Sequence, residues 1–273
     1  MELLDKQNER KSLWIQTTAR LLYNKADNID MVQWIIVLAL PVLKMFFLQN
    51  MLLNYIMMIW FLVSFVLDYF IDKYTDIATD LRKSFDYYVY GWNNDFQEKL
   101  VDISKIYQVR NKKYFEHQTV NSGTDKPKGV KNWYTTVKKE MSQEEAVKSA
   151  MKENIYFDKR INNVAFLCIL IFVSLLLLVL STSGFTLYEV FFGLFITFAS
   201  FTKKLYSTFV NLKKVSSINS NIENLLRAND IDLTYLQSEI DKKRSIPRTS
   251  NQLVYFFKTK KIHEEVSEFR SDV

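Results

Sequence analysis

Three charged side chains fall inside or beside long apolar runs: Lys44, Asp68 and Glu189. A charge in hydrocarbon is costly and takes a partner or water, so such residues mark ion pathways, interhelical pairs or snorkelling ends. Lys44 lies one turn from the outer end of the first run, and Glu189 one turn into the last run from the same side. Their similar depth is open to two arrangements. They could pair at an outer pore mouth, or each could extend separately to the headgroups, which is the blander reading. Asp68 lies near the inner end of the second run and is expected to reach the headgroups. Catalysis has no comparable foothold. His117 and His263 are isolated, Cys168 is the single thiol, and there is no P-loop, GxGxxG or GxSxG motif. The acidic pairs Glu144-Glu145 and Glu264-Glu265 adjoin lysines and read as solvated helix faces. The chain reads as a non-enzyme with no metal and no cofactor.

The elements that must position these charges follow from hydropathy. Mean hydropathy is that of an ordinary soluble protein, yet the apolar residues gather into two blocks, 31–70 and 164–201. Each block is about twice the ~20 residues that one membrane-spanning helix needs. Polar residues divide each near its middle, Leu48-Gln49-Asn50 in the first and Ser181-Thr182-Ser183-Gly184 in the second. The pattern predicts four spans, near 32–48, 52–70, 164–181 and 185–202. Two buried hairpins of a soluble protein are disfavoured, because residues 165–180 are apolar on every face and a soluble helix keeps a polar stripe.

Basic residues set the orientation. Of 36 Lys and Arg, 5 precede the first span, 17 lie between spans two and three, 13 follow from Lys203 onward, and the last is Lys44. The hairpin tips carry none. The positive-inside rule then places the N-terminus, the middle segment and the C-terminus in the cytoplasm. The opening residues are too polar for a signal peptide. Cys168 sits inside the third span and implies no disulfide.

The predicted division is a cytoplasmic N-terminal amphipathic helix (1–31), a transmembrane hairpin (32–70), a cytoplasmic helical sensor segment (71–163), a second hairpin (164–202) and cytoplasmic C-terminal helices (203–273). In the arm, Leu13, Gln16, Ala19, Leu22, Tyr23 and Ala26 recur at helical steps. Past the second span, Ile71, Tyr74, Ile77/Ala78, Leu81, Phe85, Tyr88 and Trp92 form one stripe, with Tyr87 and Tyr90 off it. That stripe reads as the packed face of a stalk helix leaving the membrane. Its aromatics lie too far beyond Phe70 for an interface belt, since fifteen helical residues rise ~22 Å. Gly91 and Asn93-Asn94 mark the helix end. A helix through Leu100, Ile103 and Tyr107 follows, then an exposed loop over 118–132. Ser142-Gln-Glu-Glu145 is a capping-box start. Leu205, Phe209, Leu212, Val215, Ile222 and Leu226 predict a further stalk, and a shorter helix is expected over 234–242. No strand pattern is visible. The fold class is an all-α membrane protein: two transmembrane helical hairpins, four spans, with long helices extending into a cytoplasmic helical bundle. The bundle reads as small for a core of its own, so packing between protomers, as a homo-oligomer, is expected.

Short motifs carry a family resemblance: Lys6-Gln7-Asn8, Ala19-Arg20-Leu-Leu-Tyr23-Asn-Lys25-Ala26, Ile77-Ala78, Ser84-Phe85-Asp86, Gly91-Trp92-Asn93 and Asn132-Trp133-Tyr134. With two hairpins split by a cytoplasmic insert, the chain resembles the SMODS-associating four-transmembrane effectors, also described as pore-forming effectors. It departs from the family pattern before Phe85-Asp86, where Lys83-Ser84 stand in place of glutamine and glutamate. The resemblance implies a bacterial inner-membrane protein beside a nucleotidyltransferase that makes a cyclic oligonucleotide on phage infection. It also implies permeabilisation of that membrane as the response, ending in abortive infection.

Under that resemblance a cyclic oligonucleotide would need Arg or Lys for its phosphates and aromatic faces for its bases. Arg82 and Arg160 are the cationic candidates, with Asp86, Trp92, Asn93, Trp133 and Tyr134 as the other ligand-binding candidates. Asp86 would position an arginine or accept a base amine. The bland alternative makes Trp92 and Trp133 core anchors and pairs Asp86 with a lysine. No DNA or RNA binding is expected. The competing function is a non-conducting membrane scaffold that recruits a protein partner through its cytoplasmic helices. A small-ion transporter is disfavoured, since the spans hold few polar residues.

Overall fold

A computed structural model describes residues 2–47, 50–123, 125–153, 195–228 and 231–247. Eight helices lie within them: α1 (Glu2–Lys6), α2 (Arg10–Phe46), α3 (Met51–Val89), α4 (Glu98–Arg110), α5 (Lys112–Val120), α6 (143–153), α7 (Phe195–Arg227) and α8 (Leu233–Arg244). Among the described residues the only β feature is an isolated bridge between Ser122 and Lys131. The third expected span, most of the fourth, Arg160 and Glu189 lie outside the described residues.

α2 and α3 form the first apolar hairpin. The polar break that divides the block supplies its turn: the Asn50 side chain accepts from the Leu53 amide at 3.2 Å and N-caps α3. Both helices are long and apolar enough to cross a membrane. α3 has 39 residues, about 58 Å of helix against ~30 Å of hydrocarbon, so nearly half of it lies beyond any bilayer it spans. α2 is likewise continuous through 31–32, so the N-terminal arm and the first apolar stretch are one helix. Exposure changes abruptly along α3. Large apolar side chains from Met51 to Phe70 are mostly exposed, whereas Ile71, Ala78, Leu81, Phe85 and Val89 are buried.

The two helices run antiparallel, and α3 pairs with α2 along its length. Gln33 meets Ser64, Tyr23 meets Thr79, Gln16 meets Arg82 and Glu9 meets Tyr88. α7 runs alongside, with Phe201 packed against Trp34 and Val37. α8 folds back onto α3. One contiguous core joins Leu3, Ile15, Leu22, Leu81, Phe85, Tyr134, Met151, Ile222, Leu236 and Ile240. This corrects the size argument above: the bundle builds its core inside one chain, because α1, α6 and α8 all close over α3.

The local signals have physical counterparts. α3 ends in a Schellman turn, in which the Trp92 amide bonds the Tyr87 carbonyl at 2.9 Å and the Gly91 amide bonds that of Tyr88 at 3.1 Å. Gly91 sits at φ +78°, a left-handed conformation that a Cβ disfavours. Ser142 and Glu145 exchange capping hydrogen bonds at 3.3 and 2.9 Å and start α6. The predicted loop over 118–132 begins later than expected, because α5 continues to Val120. It then closes on itself, with the Gly129 amide bonding the Ser122 carbonyl at 2.7 Å. A Cβ at Gly129 would lie 1.9 Å from the Asn121 carbonyl oxygen, so only glycine fits there.

Candidate functional site

α3 carries a second stripe beside its apolar one. Arg82, Asp86 and Tyr90 stand at four-residue steps and are all buried. α8 faces them with Gln237, Asp241 and Arg244, also buried, and the 121–142 loop adds Tyr134. Asp86, fully buried, is the hub. Its Oδ2 accepts from Arg244 at 2.5 Å and from Gln237 Nε2 at 3.2 Å, and its Oδ1 accepts from the Tyr134 hydroxyl at 2.5 Å. Tyr134 and Tyr90 share a further hydroxyl contact of 3.1 Å. The Arg244 carbonyl at the end of α8 accepts from Thr79 at 2.9 Å, which seats that helix end on α3.

Electrostatics distinguish the two arginines. Burial works against the Arg244 charge, but Asp86, Tyr134 and Asp241 outweigh it and raise its pKa. Burial lowers the pKa of Arg82, with Asp86 opposing and Arg244 adding to the fall. Arg82 donates to the Gln16 side-chain oxygen and stacks 4.1 Å from the Trp133 ring centroid. It has no carboxylate within ion-pair distance among the described residues. Burial also pushes Asp241 up to about 6, with Arg244 opposing and Asp86 reinforcing. Tyr134 and Tyr90 are raised by burial and by the Asp86 carboxylate. Among the described residues, the buried atoms without a hydrogen-bond partner include three in this centre: Gln16 Nε2 beside Arg82, and Gln237 Oε1 and Asp241 Oδ2 beside Arg244. Such atoms are costly when orphaned.

The loop is held over this centre by the N-terminus. The Tyr134 amide donates to Gln7 Oε1 at 3.0 Å, and the Asn132 amide to Asn8 Oδ1 at 2.9 Å. Arg20 donates to Gln118 Oε1 and to the Gly129 carbonyl, both at 3.0 Å. Two motifs that look unrelated in sequence, Lys6-Gln7-Asn8 and Asn132-Trp133-Tyr134, are thus partners in space.

Of the ligand-binding candidates, the fold brings Arg82, Asp86, Trp133 and Tyr134 together. Trp92 stands at the rim, its ring 5.3 Å from that of Tyr90, and Asn93 is exposed beside it. The partner that donates to Asp86 is Arg244, not a lysine, and sequence reasoning missed it together with Gln237, Asp241, Tyr90 and Gln16. The i, i+4, i+8 spacing of Arg82, Asp86 and Tyr90 was the available signal.

A second polar cluster joins α2, α3 and α7 where the exposed apolar belt ends. Lys203 pairs with Asp68 at 2.6 Å, and Lys204 with Asp30 at 2.5 Å. Gln33 bridges them, donating to Asp68 at 2.9 Å and accepting from Lys204 at 2.5 Å. Asp68, half-buried, therefore binds a neighbouring helix. Lys44 is buried and engaged, so it does not extend along an exposed edge.

A profile of the SMODS-associating 4TM effector domain matches residues 2–244. The chain belongs to that family. The matched region of the effector ends on Arg244, the residue that pairs with Asp86. No curated protein and no solved structure matches the chain at a significant level. The family makes the effector a membrane protein of SMODS-type signalling, linked to a partner that produces a cyclic oligonucleotide. Its description is that of a four-transmembrane effector domain.

Proposed function

We propose that this effector permeabilises the bacterial inner membrane when a cyclic oligonucleotide binds the centre around Arg82, Asp86 and Trp133. The observation that carries the proposal is continuity: the centre is built on α3, and α3 runs unbroken into the apolar hairpin. Two guanidinium groups suit phosphates, and the Trp133 and Trp92 faces suit bases. Asp86 now neutralises Arg244, and Tyr134 closes over both. A ligand would lift the loop over 121–142, and its phosphates would take Asp86's place on Arg244 and supply Arg82 with the anion it lacks. Asn93 and Arg160 are proposed as outer contacts. The ligand shifts a closed-to-open equilibrium only by its differential affinity for the two states.

The rest of the reading is consistent with this. Four spans, with both termini cytoplasmic, are too few for an aqueous pore in one chain, so the open form is a homo-oligomer. Lys44 and Glu189 would stand at the outer mouth, and Asp68 at the inner end as an interhelical partner. The test is dye release from liposomes carrying the purified protein, with a panel of cyclic di- and trinucleotides. Release with one nucleotide supports the reading. A folded, inserted protein that releases nothing with any of them refutes nucleotide gating and favours the scaffold.

A further inference from the structure

The elbow between α4 and α5 lies near the level at which the exposed apolar belt of α3 ends. α4 starts at the far end of the bundle, where Phe96 packs on Tyr88 at 4.3 Å between ring centroids and Lys11 pairs with Asp95 at 3.2 Å. It then climbs beside α2. Lys25 fixes its height, lying 5.0 Å from the Tyr107 ring and 5.9 Å from that of Tyr74. Tyr74 is one helical turn beyond Phe70, where the exposed apolar belt of α3 ends. Three more residues of α4 rise ~4.5 Å, which brings Arg110 and Lys112 to within roughly 5 Å of that boundary. The headgroup layer on each side of the hydrocarbon is about that deep. α5 then descends again, and its Gln118 meets Arg20.

The chemistry of the elbow suits that height. Val109 is 75% exposed and Ile106 is 51% exposed, on a helix that has no need to show either. Arg110, Lys112 and Lys113 are exposed beside them, with no ion-pair partner among the described residues. From Ile103 to Phe115 every charged residue is basic, and the fourth, Lys105, is already paired with Asp102 at 2.9 Å. We propose that the α4–α5 elbow is a lipid-docking foot, in which Arg110, Lys112 and Lys113 bind anionic lipid headgroups while Val109 dips into the interface. This rests on the reading that the α2–α3 hairpin is embedded in the membrane. Docking would anchor the sensor bundle to the leaflet independently of the spans.

The experiment uses the full chain with Cys168→Ser, reconstituted in vesicles of phosphatidylcholine alone or with 30% phosphatidylglycerol. Single reporters at Val109→Cys, Leu62→Cys and Asn94→Cys carry a bimane label, read by quenching from nitroxide-labelled lipid. The Leu62 label should be strongly quenched and the Asn94 label not at all. The Val109 label should be quenched in the anionic vesicles, less in neutral ones, and less again at 0.5 M salt. Adding Arg110→Gln, Lys112→Gln and Lys113→Gln should remove most of the quenching, at about fivefold in partitioning for each basic residue lost. A Val109 label that stays unquenched while Leu62 is quenched overturns the foot alone. A Val109 label shielded from water yet unquenched by lipid, or quenched equally whatever the headgroup and salt, overturns it in favour of a protein partner or plain apolar contact. An unquenched Leu62 label overturns the membrane reading beneath it.

Discussion

Replacing Arg244 with methionine tests the buried centre most directly. The change keeps bulk and apolar stem but removes the charge that neutralises Asp86. Breaking a buried pair by deleting one partner costs about 3–5 kcal/mol, because an uncompensated charge remains inside. Here Asp86 keeps its bonds to Tyr134 and Gln237 and the nearby Arg82 charge, so the lower end applies. We expect Arg244→Met to cost ~3 kcal/mol, about a hundredfold in the folding equilibrium. Adding Asp86→Asn removes the orphaned charge, and the double variant should lie within ~1–2 kcal/mol of the parent. Tryptophan fluorescence during denaturant unfolding in micelles reads both values, and limited proteolysis near α8 reads its release from α3. A loss below ~1 kcal/mol for Arg244→Met, the size of an exposed pair, would refute the argument.

Asp241 predicts a pH dependence. Its folded pKa of about 6 exceeds the ordinary 3.8, so between those values the folded state holds a proton that the unfolded chain gives up. Its contribution is full below the ordinary value and is lost as pH rises through about 6, by up to ~3 kcal/mol. Asp241→Asn should flatten the thermal midpoint over that window, and an unchanged slope would count against the assignment. Gly91→Ala should cost ~1 kcal/mol through the left-handed turn, read by the same unfolding assay, while leaving the helices intact by circular dichroism. Trp133→Ala should weaken nucleotide binding by ~1–3 kcal/mol with folding retained, measured by calorimetry, whereas lost folding would mark it as a core anchor. For the cluster where the apolar belt ends, a double-mutant cycle of Asp30→Asn and Lys204→Met should show coupling above ~1 kcal/mol. Additive effects would mean that the pair does not hold α7 to the hairpin.

Much of this protein is written in local patterns. Two apolar blocks with polar centres predict the hairpin that α2 and α3 form, and Asn50 is both the break and the cap. Ser142 and Glu145 cap α6, and Gly91 ends α3, because those signals depend on backbone groups a few residues away. The stripe from Ile71 to Tyr88 is buried as its spacing demands, apart from the half-buried Tyr74 and Ile77. Periodicity reports which side chains must leave water, and it does so without knowing what covers them. Partner choice is different. Arg244 reaches Asp86 across 158 residues, Lys204 reaches Asp30 across 174, and Asn132 reaches Asn8 across 124. No spacing rule encodes those contacts. A buried charge is tolerable only where the fold delivers its counter-charge, and only packing α8, the loop and the N-terminus onto α3 does that.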